Sequence, residues 1–153
     1  MAEKFHAHGS NASGTNIGLW NLFNPAAAPT SRGKIYDMTI GAVATPADQA
    51  VRFQIGRTTA VGTEDAGFTP VNLDSGGPAG AYDAGIGFSG GQPTKTANKE
   101  LLTVSLNQRA TFRWVASPSG ELLLAATQNN GAVLNSLSST STQAHQSSVF
   151  FEE

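Results

Sequence analysis

Apolar and polar residues alternate with a period of two over residues 101–116, Leu-Leu-Thr-Val-Ser-Leu-Asn-Gln-Arg-Ala-Thr-Phe-Arg-Trp-Val-Ala. Leu102, Val104 and Leu106 fall two apart, and Phe112 and Trp114 do the same beyond Asn107-Gln108, so each segment buries one face and wets the other. This pattern predicts two strands of an antiparallel β domain. Similar signals recur from Lys34 onward, each bounded by Gly, Pro, Asp, Asn or Ser. Ile35 to Gly41 alternates, with Tyr36, Met38 and Ile40 on one face and Asp37 and Thr39 on the other. Val51, Phe53 and Ile55 form the next inward set. Shorter strands are expected over Phe68 to Leu73, Ala81 to Phe88, Glu121 to Ala126, Gly131 to Leu137 and Ser147 to Glu152.

Eight or nine short strands, no convincing helical period and no repeat of 20 to 50 residues predict an all-β, antiparallel two-sheet β-sandwich, jelly-roll-like, over residues 34–153. Residues 1–33 differ in kind. A polar Gly, Ser and Asn stretch and then Pro25, Pro29 and Gly33 interrupt any period, so this segment reads as an extended N-terminal arm. It carries Phe5 and the cluster Ile17-Gly18-Leu19-Trp20-Asn21-Leu22-Phe23, too short for a core and too apolar for a solvated linker. Fully extended at about 3.3 Å per residue, such an arm reaches on the order of 100 Å. Its apolar residues therefore have two destinations, their own sandwich or a neighbouring subunit.

Composition narrows the function classes. The length of 153 residues suits one domain. Charged residues are only 13% against roughly 25% in an average protein, leaving a surface of neutral polar side chains. The formal net charge of -2 supplies no basic stripe, which argues against nucleic-acid binding. With no cysteine there is neither a disulfide framework nor a thiolate metal site. No apolar run approaches a signal sequence or the roughly 20 residues of a membrane span, so a chain made in the cytoplasm, with no membrane partner, is expected.

Few residues point to chemistry. Gly87-Phe88-Ser89-Gly90-Gly91 matches G-x-S-x-G and Gly85 to Gly90 matches G-x-G-x-x-G, but both motifs need a following helix, which Gln92-Pro93-Thr94 disfavours. His6 and His8 are the one close histidine pair, and a flexible arm does not hold a metal polyhedron. His145 is expected to be exposed in a polar loop over residues 136–148. The carboxylates are scattered at turns, with no spacing that selects an acid and base pair. The expectation is no enzyme, no cofactor and no metal.

Several stretches resemble the capsid decoration, or cement, proteins of tailed bacteriophages. They are Ile35-Tyr36-Asp37, Ala44-Thr45-Pro46-Ala47-Asp48, Gln54 to Thr63, Thr69-Pro70-Val71 with Leu73-Asp74, Leu106 to Val115 with Ser119-Gly120-Glu121-Leu122, and the terminal Phe150-Phe151-Glu152-Glu153. The Leu106 to Val115 block and its follow-on are the most specific, and the likeness covers about residues 34–153. It implies a structural virion protein on the outer surface of an assembled capsid, bracing major capsid protein subunits, with no catalytic residues. Self-association as a dimer or trimer is expected alongside, with Phe5, Ile17, Leu19, Trp20, Leu22 and Phe23 of the arm as capsid or subunit contacts. Deleting residues 1–33 should then leave a folded protein that no longer binds capsids. The alternative is a carbohydrate-binding sandwich, free or displayed on a virion, stacking sugars on Tyr82 and Phe88.

Overall fold

A computed structural model describes residues 2–12, 14–137 and 143–153, and all its regular elements are strands. In chain order these are β1 (Lys4–Ala12), β2 (Thr15–Phe23), β3 (Lys34–Ala42), β4 (Ala50–Ala60), β5 (Ala66–Phe68), β6 (Val71–Asn72), β7 (Asp83–Ile86), β8 (Thr94–Asn107), β9 (Phe112–Val115), β10 (Leu122–Leu123), β11 (Gly131–Leu137) and β12 (Ala144–Glu152). They make two antiparallel six-stranded sheets. Sheet A has the order β10-β3-β12-β1-β6, with β9 also paired to β3, and sheet B the order β5-β7-β2-β11-β4-β8.

The pairing is nested. β4 pairs with β8, β3 with β9, β2 with β11 and β1 with β12, and successive pairs fall in opposite sheets. The chain is thus one antiparallel ribbon, doubled at residues 61–93 and wound up, which is the jelly-roll form of the expected two-sheet sandwich. The two best-patterned segments, β8 and β9, lie in different sheets, and Asn107-Gln108 is the corner between them. Their inward residues Leu102, Val104, Leu106, Phe112 and Trp114 all pack on one core with Met38, Ile40, Val51, Phe53 and Ile55.

The N-terminal segment corrects the expected arm. β1 and β2 are interior strands of sheets A and B, not an extension outside the sandwich. β1 alternates Phe5, Ala7 and Gly9 inward with His6, His8 and Ser10 outward, but the inward side chains shrink along the strand and the apolar period fades. Gly9 is needed there, since a Cβ would stand 2.1 Å from the Leu19 carbonyl oxygen of the facing sheet. β2 is buried on both sides from Gly18 to Phe23, so it reads as an apolar run without alternation. Its outward side lies under residues 61–93, where the Asn21 amide donates to the Val61 carbonyl and the Gly18 N–H to the Gln92 side chain at 2.7 Å.

Smaller departures have local causes. Tyr36 is the extra residue of a bulge, so Phe150 and Phe151 of β12 face Asp37 and Ile35, and Ile35 rather than Tyr36 joins Met38 and Ile40 in the core. Phe68 to Leu73 splits at Thr69-Pro70 into β5 and β6, which serve different sheets. The final strand starts at Ala144, and His145 is buried rather than exposed, edge-on to the Phe53 ring at 5.1 Å. Part of the polar loop expected over residues 136–148, residues 138–142, lies outside the described residues.

Candidate functional site

The two sides of the sandwich end differently. Beyond β1 and β2, the excursion over residues 61–93 adds β6 to sheet A and β7 and β5 to sheet B. From it Tyr82 enters the core, fully buried against Phe151, accepting from the Gly33 N–H at 3.0 Å and donating to the Ala125 carbonyl. The Glu153 carboxylate holds the same stretch through the Ala81 N–H at 2.8 Å. This side is capped.

On the other side the sheets end at β8 and at β9 with β10. Arg57 of β4 ties them together by donating to the Leu123 carbonyl of β10 at 2.8 Å. Leu101, Leu102, Val104, Leu106, Phe112, Trp114 and Leu122 are only partly buried there, and Val115 and Leu123 are exposed. β8 has two halves. Residues 94–100 carry Lys95, Lys99 and Glu100, have Asn98 at positive φ, and pair with β4 through several register shifts. Residues 101–107 pair regularly with β4 and carry no charge, so one row of their backbone N–H and C=O groups faces outward in a straight, neutral edge. Among the described residues no strand pairs with it.

The corner above this edge brings together two of the stretches on which the cement-protein resemblance rests. Asn107 contacts Asp48 through its amide and accepts from the Arg109 N–H at 2.9 Å. Gln108, buried, donates its backbone N–H to the Gln49 carbonyl at 2.9 Å and accepts from the Ala47 N–H. Arg109 reaches the Pro46 carbonyl. The Asn107-Gln108-Arg109 and Pro46 to Gln49 segments therefore lock the passage from β8 to β9. One strand further on, Arg113 donates from Nε and Nη2 to the two carboxylate oxygens of Asp37, and this pairing holds the Asp37 carboxyl below its ordinary range.

The six proposed contact residues are not surface anchors. Phe5, Leu19, Trp20 and Leu22 are fully buried, Phe23 nearly so, and Ile17 is half-buried at the start of β2. Trp20 bridges the sheets by donating from its indole to the Ser147 hydroxyl at 3.0 Å. Five of the six are spent on the core, so the own-sandwich destination is the one taken. The half-exposed apolar residues of β8 and β9 are the better contact candidates; their alternation marked them as strands, but nothing in it marked an edge.

Nor do the proposed sugar-stacking residues serve: Tyr82 and Phe88 are both buried. Ser89 of the G-x-S-x-G match touches the Asp65 carboxylate, and a turn rather than a helix follows it. His6 and His8 stand on the rigid outward face of β1, with rings stacked 5.8 Å apart. One carboxylate pair does form where spacing suggested none. Burial raises the pKa of Glu64 and of Asp83, and their mutual repulsion raises Glu64 further. Among the described residues no three His, Asp or Glu side chains gather as a metal set. No family model, curated protein or solved structure matches this chain.

Proposed function

We propose that the chain is a structural virion protein that binds the outer surface of an assembled phage capsid and stabilises it by bridging major capsid protein subunits. Its work is mechanical, without catalysis or cofactor, and it associates with copies of itself on the shell. The open side carries the contacts. A neutral, unprotected stretch of edge is a template for pairing with another chain, and soluble proteins ordinarily blunt such edges with charge, proline or bulges. Here the same strand is blunted over residues 94–100 and left bare over 101–107, beside the half-exposed rings of Phe112 and Trp114. That contrast is the observation that carries the reading. The resemblance of the 106–115 block to cement proteins supports it, as does a low-charge surface suited to crowding on a shell. Many copies on one symmetric particle turn weak single contacts into firm attachment.

The test is co-sedimentation of the purified chain with empty capsids of the phage that encodes it. Binding in fixed stoichiometry is expected, and its loss in a Ser105→Lys, Val115→Lys double variant that still folds. A chain that stays in the supernatant, or a variant that binds as well as the parent, overturns the proposal.

A further inference from the structure

The outward face of sheet A holds an arrangement that capsid bracing does not use. Cross-strand register sets it out in rows. Thr39 of β3 lies beside Ser148 of β12 and then His8 of β1, while Gly41 lies beside Gln146 and then Ser10. The next row runs from Asp37 through Phe150 to His6. Gly41 leaves a hollow, since a Cβ there would meet nothing nearer than the Thr111 hydroxyl at 3.7 Å. The result is an open trough of about 210 Å³, walled by Thr39, Thr111, Gln146 and Ser148. Two residues along β12, about 6.6 Å away at strand spacing, the Phe150 ring packs on His6 at 4.9 Å, and His6 continues through His8 to Phe68 in an aromatic run.

We propose that this face binds neutral carbohydrate, one sugar ring lying on the Phe150 and His6 rings and the hydroxyls of the neighbouring unit entering the trough. Three hydroxyls and one amide offer donors and acceptors at close spacing without charge, which matches a polyol. The aromatic run, its Phe150 and His6 rings tilted 35° to each other, offers an apolar surface for the C–H face of a pyranose. Charge argues against a phosphate or nucleotide. Asp37 is paired with Arg113, Glu152 with Lys34, and Lys4 lies over the Tyr36 ring, so among the described residues no cation lines the trough. Burial and the neighbouring His8 also lower the pKa of His6, which leaves its ring neutral at neutral pH. At about 210 Å³ the hollow is smaller than the roughly 300–1,000 Å³ of an enclosing ligand pocket. It therefore takes the edge of a chain rather than swallowing a whole ligand, and affinity for a single site is weak.

The free full-length chain is tested, so the outcome is independent of any shell binding. A glycan array carrying bacterial surface polysaccharide repeats and animal glycans identifies the ligand and its source, and NMR titration with the best hit gives the affinity. Binding to uncharged glycans is expected. Phe150→Ala should weaken it about tenfold, and Gly41→Val, whose Cβ falls in ordinary contact with Thr111 at 3.7 Å, should abolish it while leaving the melting temperature within a few degrees. Absence of any hit at millimolar ligand overturns the proposal. So do hits confined to sulfated or phosphorylated glycans that fade with added salt, and hits that both variants bind like the parent chain.

Discussion

The capped and open sides of this sandwich begin with the same liability and treat it in opposite ways. On the capped side the excursion over residues 61–93 pairs a short strand onto each sheet, sinks Tyr82 into the core and is fastened by Glu153. On the open side the chain uses charge and bulges for one half of β8 and stops using them at Leu101. Bare edge is therefore not what this fold defaults to. The difference is that residues 101–107 are left without a strand partner on their outer side among the described residues, at the place where the proposed contact with another chain falls, while residues near the capped side contribute to holding it folded.

The largest break of that comparison comes from removing residues 1–33. Two interior strands go, with Phe5, Leu19, Trp20 and Leu22, and sheets A and B each split. Complete loss of folded structure is expected, read as loss of near-UV circular dichroism and of dispersed amide resonances. A truncated chain that remains folded would return these residues to the status of an appendage.

Next in size is Tyr82→Phe. The ring still fills its space, but the buried Gly33 N–H loses its acceptor and the Ala125 carbonyl its donor. An unsatisfied buried group costs about 1–3 kcal/mol, and each kcal/mol lowers the melting temperature of a chain this size by about 2–4 °C. Shell binding by the folded fraction should be unchanged. A variant as stable as the parent would mean that the excursion merely covers the edge and does not tie it down.

The same contrast explains what the amino-acid pattern could show. Strands with one dry and one wet face announce themselves, as β4, β8 and β9 do, because side-chain period and burial coincide. β2 is silent because the excursion buries its second face, and that depends on Phe88 and Gln92, some 70 residues away. β1 does alternate, but with Ala7 and Gly9 as its inward residues, chosen for close approach of the sheets rather than for hydrophobicity. The candidate edge was visible as strand and invisible as edge. Which strand lacks a neighbour follows from the winding of the ribbon, and local pattern carries no record of it. The trough on sheet A needs three strands in register, so it too belongs to topology.

On the open side, single substitutions should reverse the readout. Ser105 and Val115 are exposed and make no core contact, so Ser105→Lys and Val115→Lys should each leave stability within about 0.5 kcal/mol. Each nonetheless places a charge at the proposed contact, which opposes pairing. Capsid co-sedimentation and self-association measured by sedimentation velocity should fall together. Loss of stability in step with loss of binding would make the open side structural, and would erase its difference from the capped one.

The smallest expected effect is a pH dependence, and it distinguishes the two sides once more. Burial lowers the pKa of His145, on the inner face of β12, and of His6, on the outer face of β1, where the neighbouring His8 lowers it further. Their folded pKa values lie below the unfolded value near 6.5, so the unfolded chain takes up more protons on acidification. Their stabilising contribution is complete above pH 6.5 and is lost as pH falls through the lowered values. Glu64 and Asp83, on the capped side, act oppositely. Their raised pKa values favour the folded state below about pH 4, an advantage lost as pH rises through the folded values. Asp37, on the open side, keeps its Arg113-derived contribution until pH drops below about 3.8. The melting temperature should therefore decline from pH 7 towards pH 5.5, and the decline should be shallower in His145→Gln. An unchanged slope in that variant would remove the buried histidine as its cause, whereas a flat parent profile would mean that protons reach neither histidine at a cost to the fold.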